Sequence, residues 1–394
     1  MFIFVLIAVL ALMHFYVWTR LAKNTTTRGR SRRVATALFL IPTAALFVGL
    51  IVPRVFDAQE PAWLAWPAFV WLAVVFYLVL ALLVLEPVRL VLRRATKRRM
   101  ESGDAPAETS EPGSADVNRR LFLARGGAVA AGVASVALVG TGASIALGPP
   151  KLLQVPVRLG RIDPAFNGFR IAVVSDVHLG PMLGRSHTER IVRMINEAEP
   201  DLVAIVGDLV DGTVNELGAA VEPLQDLVAR EGSFFVTGNH EYFTDDTGEW
   251  LNELERLGVA PLRNENTPIR RGGATFALLG VNDVVGERRS EPPDFDQAMA
   301  GVADHQAKIL LAHQPVLVSE AADRGIDLQL SGHTHGGQMW PFHHIVSAVQ
   351  PSIAGLSSVG DTQLYVTRGA GFWGPPVRIG APPDISVLTL HADQ

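Results

Sequence analysis

The sequence predicts an α/β domain of buried strands layered with helices, preceded by an α-helical transmembrane region. Two features predict this. Apolar residues make up 48% of the 394-residue chain, and the excess is packed into four long runs before residue 150. From Ile171 onward, short all-apolar runs alternate with helix-patterned stretches. That alternation is the pattern of strands buried on both faces and covered by helices.

The apolar runs are Met1–Thr19, Val34–Val52, Ala62–Leu85 and Ala128–Leu147. Each is near the ~20 residues a helix needs to cross a hydrocarbon core. Pro42 and Pro67 interrupt two of them, which spanning helices tolerate better than soluble ones. Arg20, Lys23, Arg28, Arg30, Arg32 and Arg33 lie between the first two runs, but only Arg54 lies between the second and third. Arg89, Arg93, Arg94, Lys97, Arg98 and Arg99 follow the third. Basic loops stay cytoplasmic, so the amino terminus and everything after the fourth span are expected outside. The stretch ESGDAPAETSEPGSADV is polar and rich in Pro, Gly and Ser, which predicts disorder. The expected organisation is three transmembrane helices over 1–99 and a disordered cytoplasmic linker over 100–118. A signal-like motif with a fourth transmembrane helix follows over 119–148, and a catalytic domain over 150–394.

Asn118-Arg119-Arg120-Leu121-Phe122-Leu123-Ala124 resembles the twin-arginine translocation signal, with Asn118 and Ala124 departing from its first and last positions. The resemblance implies passage through the twin-arginine translocase. An ordinary basic flank of a span would also carry arginines. The only candidate cleavage site is the weak ALG at 146–148, so an uncleaved anchor is expected.

Composition excludes several chemistries. A net charge of -5 argues against a nucleic-acid partner. With no cysteine, any metal must be held by His, Asp, Asn or Glu.

The soluble half has the strand-like runs IAVVS, LVAIV, SFFVT, KILLA, LQLS and LYVT, with helical patterns in TERIVRMINEAE and VEPLQDLVAR. Five runs end in polar tips: Asp176-Val177-His178; Gly207-Asp208 with Asp211; Gly238-Asn239-His240-Glu241; His313-Gln314-Pro315; and Gly332-His333-Thr334-His335. Ligands collect beyond the carboxyl ends of strands in α/β folds, so five such tips offering Asp, His and Asn point to one metal site. Oxygen and nitrogen donors without sulfur suit Mn, Fe or Zn.

In this order the motifs resemble the calcineurin-like metallophosphoesterase superfamily over about residues 150–392. The resemblance implies a layered β-sandwich flanked by helices and two divalent metal ions about 3–4 Å apart. It assigns Asp176, His178 and His335 to one ion, Asn239, His313 and His333 to the other, and Asp208 to both. Water bridging the ions would lose a proton and attack phosphorus. His240 would protonate the leaving oxygen or steady the phosphoryl group, oriented by Asp211. SGHTHGGQMW and YVTRGAGFWGPPVRIGAPPDISVLTL resemble the bacterial membrane-associated YkuE/YaeI-like subgroup. The implied protein is a multi-pass enzyme of the bacterial cell membrane with its catalytic domain outside. It would cleave a phosphodiester or phosphomonoester of an envelope lipid or precursor. Two alternatives remain open: a cytoplasm-facing pyrophosphatase of a nucleotide-linked lipid, and a non-catalytic membrane scaffold.

Other polar positions carry blander expectations. Arg368 is expected to pair structurally or to contact phosphate near the site, and solvent exposure is expected for His343, His344 and His187. Phe372 and Trp373 are expected in the core, with a lipid-facing lip as the alternative.

Overall fold

The computed structural model describes residues 2–56, 61–101, 114–244 and 246–393. It divides into two compact units, Met1–Gly142 and Ala143–Gln394.

The first unit is built from helices α1 (Phe2–Trp18), α2 (Arg30–Phe56), α3 (Ala62–Glu101) and most of α4 (Ser114–Leu147). All four are long and apolar enough to cross a membrane. Val17, Phe39, Val75, Leu78, Leu82 and Ala131 pack together between them, while Leu12, Leu38, Ile41, Val84 and Val133 turn outward. An apolar surface of this kind suits lipid, not water. Several polar side chains within the bundle are paired. Trp18 Nε1 donates to Thr36 Oγ1 at 3.0 Å, and Ser135 Oγ donates to the Val74 carbonyl at 2.9 Å. Glu86 bonds Arg20 at 2.7 Å and Arg89 at 3.0 Å. Residues 102–113 of the expected linker lie outside the described residues. Ser114–Asn118, the end of the expected linker, form the first turns of α4.

The second unit is a sheet-on-sheet sandwich. Its strands are β1 (Lys151–Leu159), β2 (Phe169–Val174), β3 (Leu202–Val206), β4 (Ser233–Val236), β5 (Val259–Pro261), β6 (Glu265–Arg271), β7 (Ala274–Gly280), β8 (Lys308–Leu311), β9 (Leu328–Ser331), β10 (Gly355–Val359), β11 (Thr362–Val366) and β12 (Asp384–Ala392). Its helices are α5 (Arg185–Glu197), α6 (Val214–Val221), α7 (Thr247–Arg256), α8 (Phe295–Ala298), α9 (Val318–Asp323) and α10 (His343–Val346). One sheet has the order β1-β12-β2-β3-β4-β5 and the other β10-β11-β9-β8-β7-β6. Strands β2 to β5 run parallel, as do β7, β8, β9 and β11. Their polar tips therefore emerge at the same end of each sheet.

Phe169, Ile171, Val173, Leu202, Ala204 and Phe234 of the first sheet face Phe276, Leu278, Ile309, Leu311, Leu328 and Leu330 of the second. The opposite faces are covered by α5, α6 and α7, through Ile191, Ile195, Leu217 and Trp250, and by α8 and α9, through Phe295 and Ala321. The central strand cores are thus covered on both sides, which explains why most of their sequences read as continuous apolar runs.

One expected helix is displaced. VEPLQDLVAR contributes only the last residue of α6 and a 3₁₀ turn over Glu222–Asp226. Pro223 stands at the start of that turn, and the α-helix lies before it. Pro fixes the opening φ of such a turn but cannot donate an N–H to a preceding helix.

Candidate metal centre

Backbone geometry first aims the strand-tip residues. Asp176, His178, Asp208, His333 and His335 all adopt positive φ, between 49° and 71°. Non-glycine residues rarely adopt this left-handed conformation, and where it clusters it marks sites held in place by their surroundings. Two glycines allow the strand tips to close together. A Cβ on Gly238 would strike the Asp208 carboxylate, and one on Gly332 would strike Asp176 and Ser175.

All nine predicted site residues converge at the strand tips. Asp176, His178 and His335 can each place a ligand atom within 4.8 Å of the others. Asp208, His313 and His333 can do the same, and so can His178, Asp208 and His240. Asp208 Oδ2 lies 3.2 Å from His313 Nε2 and 3.8 Å from His178 Nε2. His335 Nε2 is 3.3 Å from Asp176 Oδ1. Asn239 Oδ1 is 2.9 Å from His333 Nδ1.

Hydrogen bonds set which imidazole nitrogen faces the cleft. His313 Nδ1 donates to the Val206 carbonyl at 2.8 Å. Its Nε2 is buried without a hydrogen-bond partner. Asp211 accepts from His178 Nδ1 at 2.9 Å and from His240 Nδ1 at 2.6 Å, which turns both Nε2 atoms away from it; His178 Nε2 lies 3.0 Å from His335 Nε2. A carboxylate behind an imidazole in this way fixes its tautomer and raises its basicity as a ligand. An orphaned, buried Nε2 beside converging carboxylates fits divalent cations held by N and O donors.

The charges explain why such a cluster can remain buried. Burial pushes the Asp176 carboxyl up, and the neighbouring Asp208 adds to this against His313 and His178. Burial also pushes Asp208 up, but His313, His240 and His178 outweigh it and hold its carboxyl well below the usual range. Asp211 is likewise held low by His178 and His240 despite burial. Burial lowers His240, yet Asp208 and Asp211 raise it to about 9. His333 falls to about 3 through burial and the nearby His313.

Two supporting residues have no role in the sequence reading. Glu241 is 1% exposed, and its carboxylate accepts the backbone N–H groups of Asp208 at 3.0 Å, Leu209 at 2.8 Å and Gly238 at 2.6 Å. Its signal was its place beside Gly238-Asn239-His240. Arg378 is fully buried. It donates to the carbonyls of His335 at 2.7 Å, Arg368 at 2.9 Å and Gly371 at 3.0 Å. Burial lowers its guanidinium to about 10. Among the expectations for other polar residues, Arg368 does pair structurally, donating to Asp384 at 3.0 Å, and His344 is exposed. His187 is not on the surface. It is buried and lowered to about 4, by burial and Arg190, because the first turn of α5 is covered. Phe372 is buried while Trp373 is exposed.

Asp211→Asn tests the shared support of His178 and His240. It is expected to lower kcat by about 10²-fold, the lower range for losing a positioned acid or base, with little change in KM. An unchanged kcat in steady-state assays with Mn²⁺ would remove Asp211 from the machinery.

A face-to-face sandwich with helices outside, and Asp, His and Asn clustered at its parallel strand tips, defines a metal-dependent phosphoester-cleaving class of protein. The calcineurin-like phosphoesterase family profile matches residues 169–337. The chain is 30% identical to a metallophosphoesterase of Campylobacter jejuni, covering 99% of this chain and 98% of that one. It is 31% identical to the metallophosphoesterase YkuE of Bacillus subtilis, covering 70% of this chain and 98% of that one. A bovine transmembrane protein with metallophosphoesterase domain is 40% identical over 71% of this chain, and the match spans 65% of the bovine length. The chain belongs to the calcineurin-like metallophosphoesterase family.

Proposed function

We propose that this protein is a membrane-anchored phosphoesterase that holds two divalent cations, Mn, Fe or Zn, and hydrolyses a phosphodiester or phosphomonoester, with its catalytic domain outside the cytoplasm. The observation that carries this reading is the convergence of two three-residue donor groups, Asp176/His178/His335 and Asp208/His313/His333. Asn239 Oδ1 lies within reach of the second group. Two cations there would acidify water and neutralise charge on the phosphoryl oxygens.

The chain's own residues do the rest. Asp208 stands between both groups. His240 sits at the cleft mouth with its Nε2 4.0 Å from Asp208 Oδ2, where it can give a proton to a leaving oxygen. Asp211 holds His240 and His178 in one orientation. An envelope lipid or lipid-linked precursor as substrate agrees with four helices able to cross a membrane.

Purified full-length protein should hydrolyse bis-nitrophenyl phosphate or nitrophenyl phosphate only with added Mn²⁺ or a similar ion. No metal-dependent turnover on either ester would favour the scaffold reading. Sidedness is tested by changing Arg119 and Arg120 to Lys. We expect a carboxyl-terminal tag to move from protease-sensitive to protease-protected in spheroplasts. If the tag stays sensitive, the arginine pair is only a topology flank; if the unaltered chain is protected, the domain faces the cytoplasm.

A further inference from the structure

The rim beside the metal centre differs from the rest of the domain. From Leu328 to Gly360 there is no Asp, Glu, Lys or Arg, although 19% of the chain is charged. Much of this stretch is nevertheless at the surface. Trp340 and Phe342 are exposed, Ile345 is 60% exposed and Val349 70%.

A second loop joins them. Gln338 Nε2 donates to the carbonyls of Trp373 at 2.9 Å and Pro375 at 3.0 Å. Trp373 N donates back to Gln338 Oε1 at 3.2 Å. Trp340 N donates to the Ile379 carbonyl at 2.9 Å. The Trp373 side chain is 52% exposed, and its ring centroid lies 5.5 Å from that of His240. Phe243 stands on His240 at 4.7 Å and is also exposed. The apolar rim therefore runs directly into the site.

The same rim lies beside the first residues of its own unit. Phe372, one residue before Trp373, turns inward and packs with Leu183 and with Ala146. Ala146 lies in the last turn of α4, whose apolar window is Leu121–Leu147. The exposed rim thus starts one residue from the packing around Ala146, where the apolar window of α4 ends.

We propose that Trp340, Phe342, Ile345, Val349 and Trp373 lie in the interfacial layer of the bilayer and present to the site a phosphoester carried on a lipid. Tryptophan favours the headgroup level because its ring is apolar and its N–H is polar. Exposed apolar side chains with no carboxylate among them can enter this layer without burying a charge. The lipid-substrate part rests on the phosphoesterase reading above; the placement of the rim does not.

The absence of cysteine makes a direct test clean. Ile345→Cys and Val228→Cys variants of the full chain would carry nitroxide labels in phosphatidylethanolamine/phosphatidylglycerol nanodiscs. Val228 is 68% exposed and precedes β4, at the end of the sheet opposite the strand tips. The label at 345 should collide with oxygen and be shielded from a water-soluble nickel chelate, and the label at 228 should behave in the opposite way. Equal nickel access at both positions would overturn the proposal.

A second arm uses the triple variant Phe342→Ser, Ile345→Ser, Val349→Ser. It should slow hydrolysis of a long-chain nitrophenyl phosphodiester in vesicles by about tenfold, as lost interfacial apolar area predicts, and spare bis-nitrophenyl phosphate. Equal rates on both esters would mean that the rim serves another partner. If no ester is cleaved, the phosphoesterase reading fails while the label data still decide where the rim lies.

Discussion

Asp208→Ala is expected to abolish turnover, lowering kcat by about 10⁴-fold or more, as for residues that act as one catalytic unit. Asp208 is 2% exposed and is the only carboxylate shared by two of the three donor groups. Its Oδ2 faces His313, His178 and His240 at 3.2, 3.8 and 4.0 Å. Its Oδ1 accepts the His240 backbone N–H at 2.9 Å. Removing it leaves three imidazoles converging with no anion between them, so the second cation should be lost along with the chemistry. Two measurements check this: kcat on bis-nitrophenyl phosphate, and metal per chain by elemental analysis. Asp208→Asn keeps the shape and an acceptor but not the charge, and it should also lose metal. Full activity with unchanged metal content in either variant would sink the two-cation reading.

Glu241→Ala is expected to cost about 3–5 kcal/mol of stability, the range for breaking a buried charged contact. The Glu241 carboxylate ties the strand tips after β3 and β4 together through the N–H groups of Asp208, Leu209 and Gly238. Burial and the adjacent Asp208 push its carboxyl up to about 7, while those N–H donors pull the other way. Without it, at least three buried donors lose their acceptor, at about 1–3 kcal/mol each. Asp208, held at φ 52°, would also lose its backbone anchor, so kcat should fall together with stability. Glu241→Gln replaces one accepting oxygen by an NH₂ that confronts N–H groups, so it should also destabilise, though less than alanine. Thermal unfolding of the detergent-solubilised chain, followed by near-ultraviolet circular dichroism, reads the difference. A midpoint within a degree or two of the parent would show that the donors find other acceptors.

The legible and illegible parts of this protein divide along physical lines. Strands β2, β3, β4, β8, β9 and β11 read clearly from the sequence because they are central and apolar on both faces. Strand β1 did not, because its burial alternates along KLLQVPVRL at the sheet edge. Strand β12, though apolar, pairs with both β1 and β2, and no local signal announces a partner more than 200 residues away. The VEPLQDLVAR segment has helical periodicity, yet Pro223 confines it to a 3₁₀ turn. His187 shows the same limit: nothing in its neighbours reveals that the first turn of α5 is covered.

Consecutive residues alone carry the four apolar helices, the strand-tip motifs and the candidate donor residues, because the spacing of each matches a secondary-structure element. Folding alone brings Asp211 between His178 and His240, sets Glu241 and Arg378 beneath the loops, and turns Phe372 inward and Trp373 out. Those outcomes depend on groups brought together from distant strands. Burial, charge and hydrogen-bond satisfaction act only once the two sheets have closed on each other.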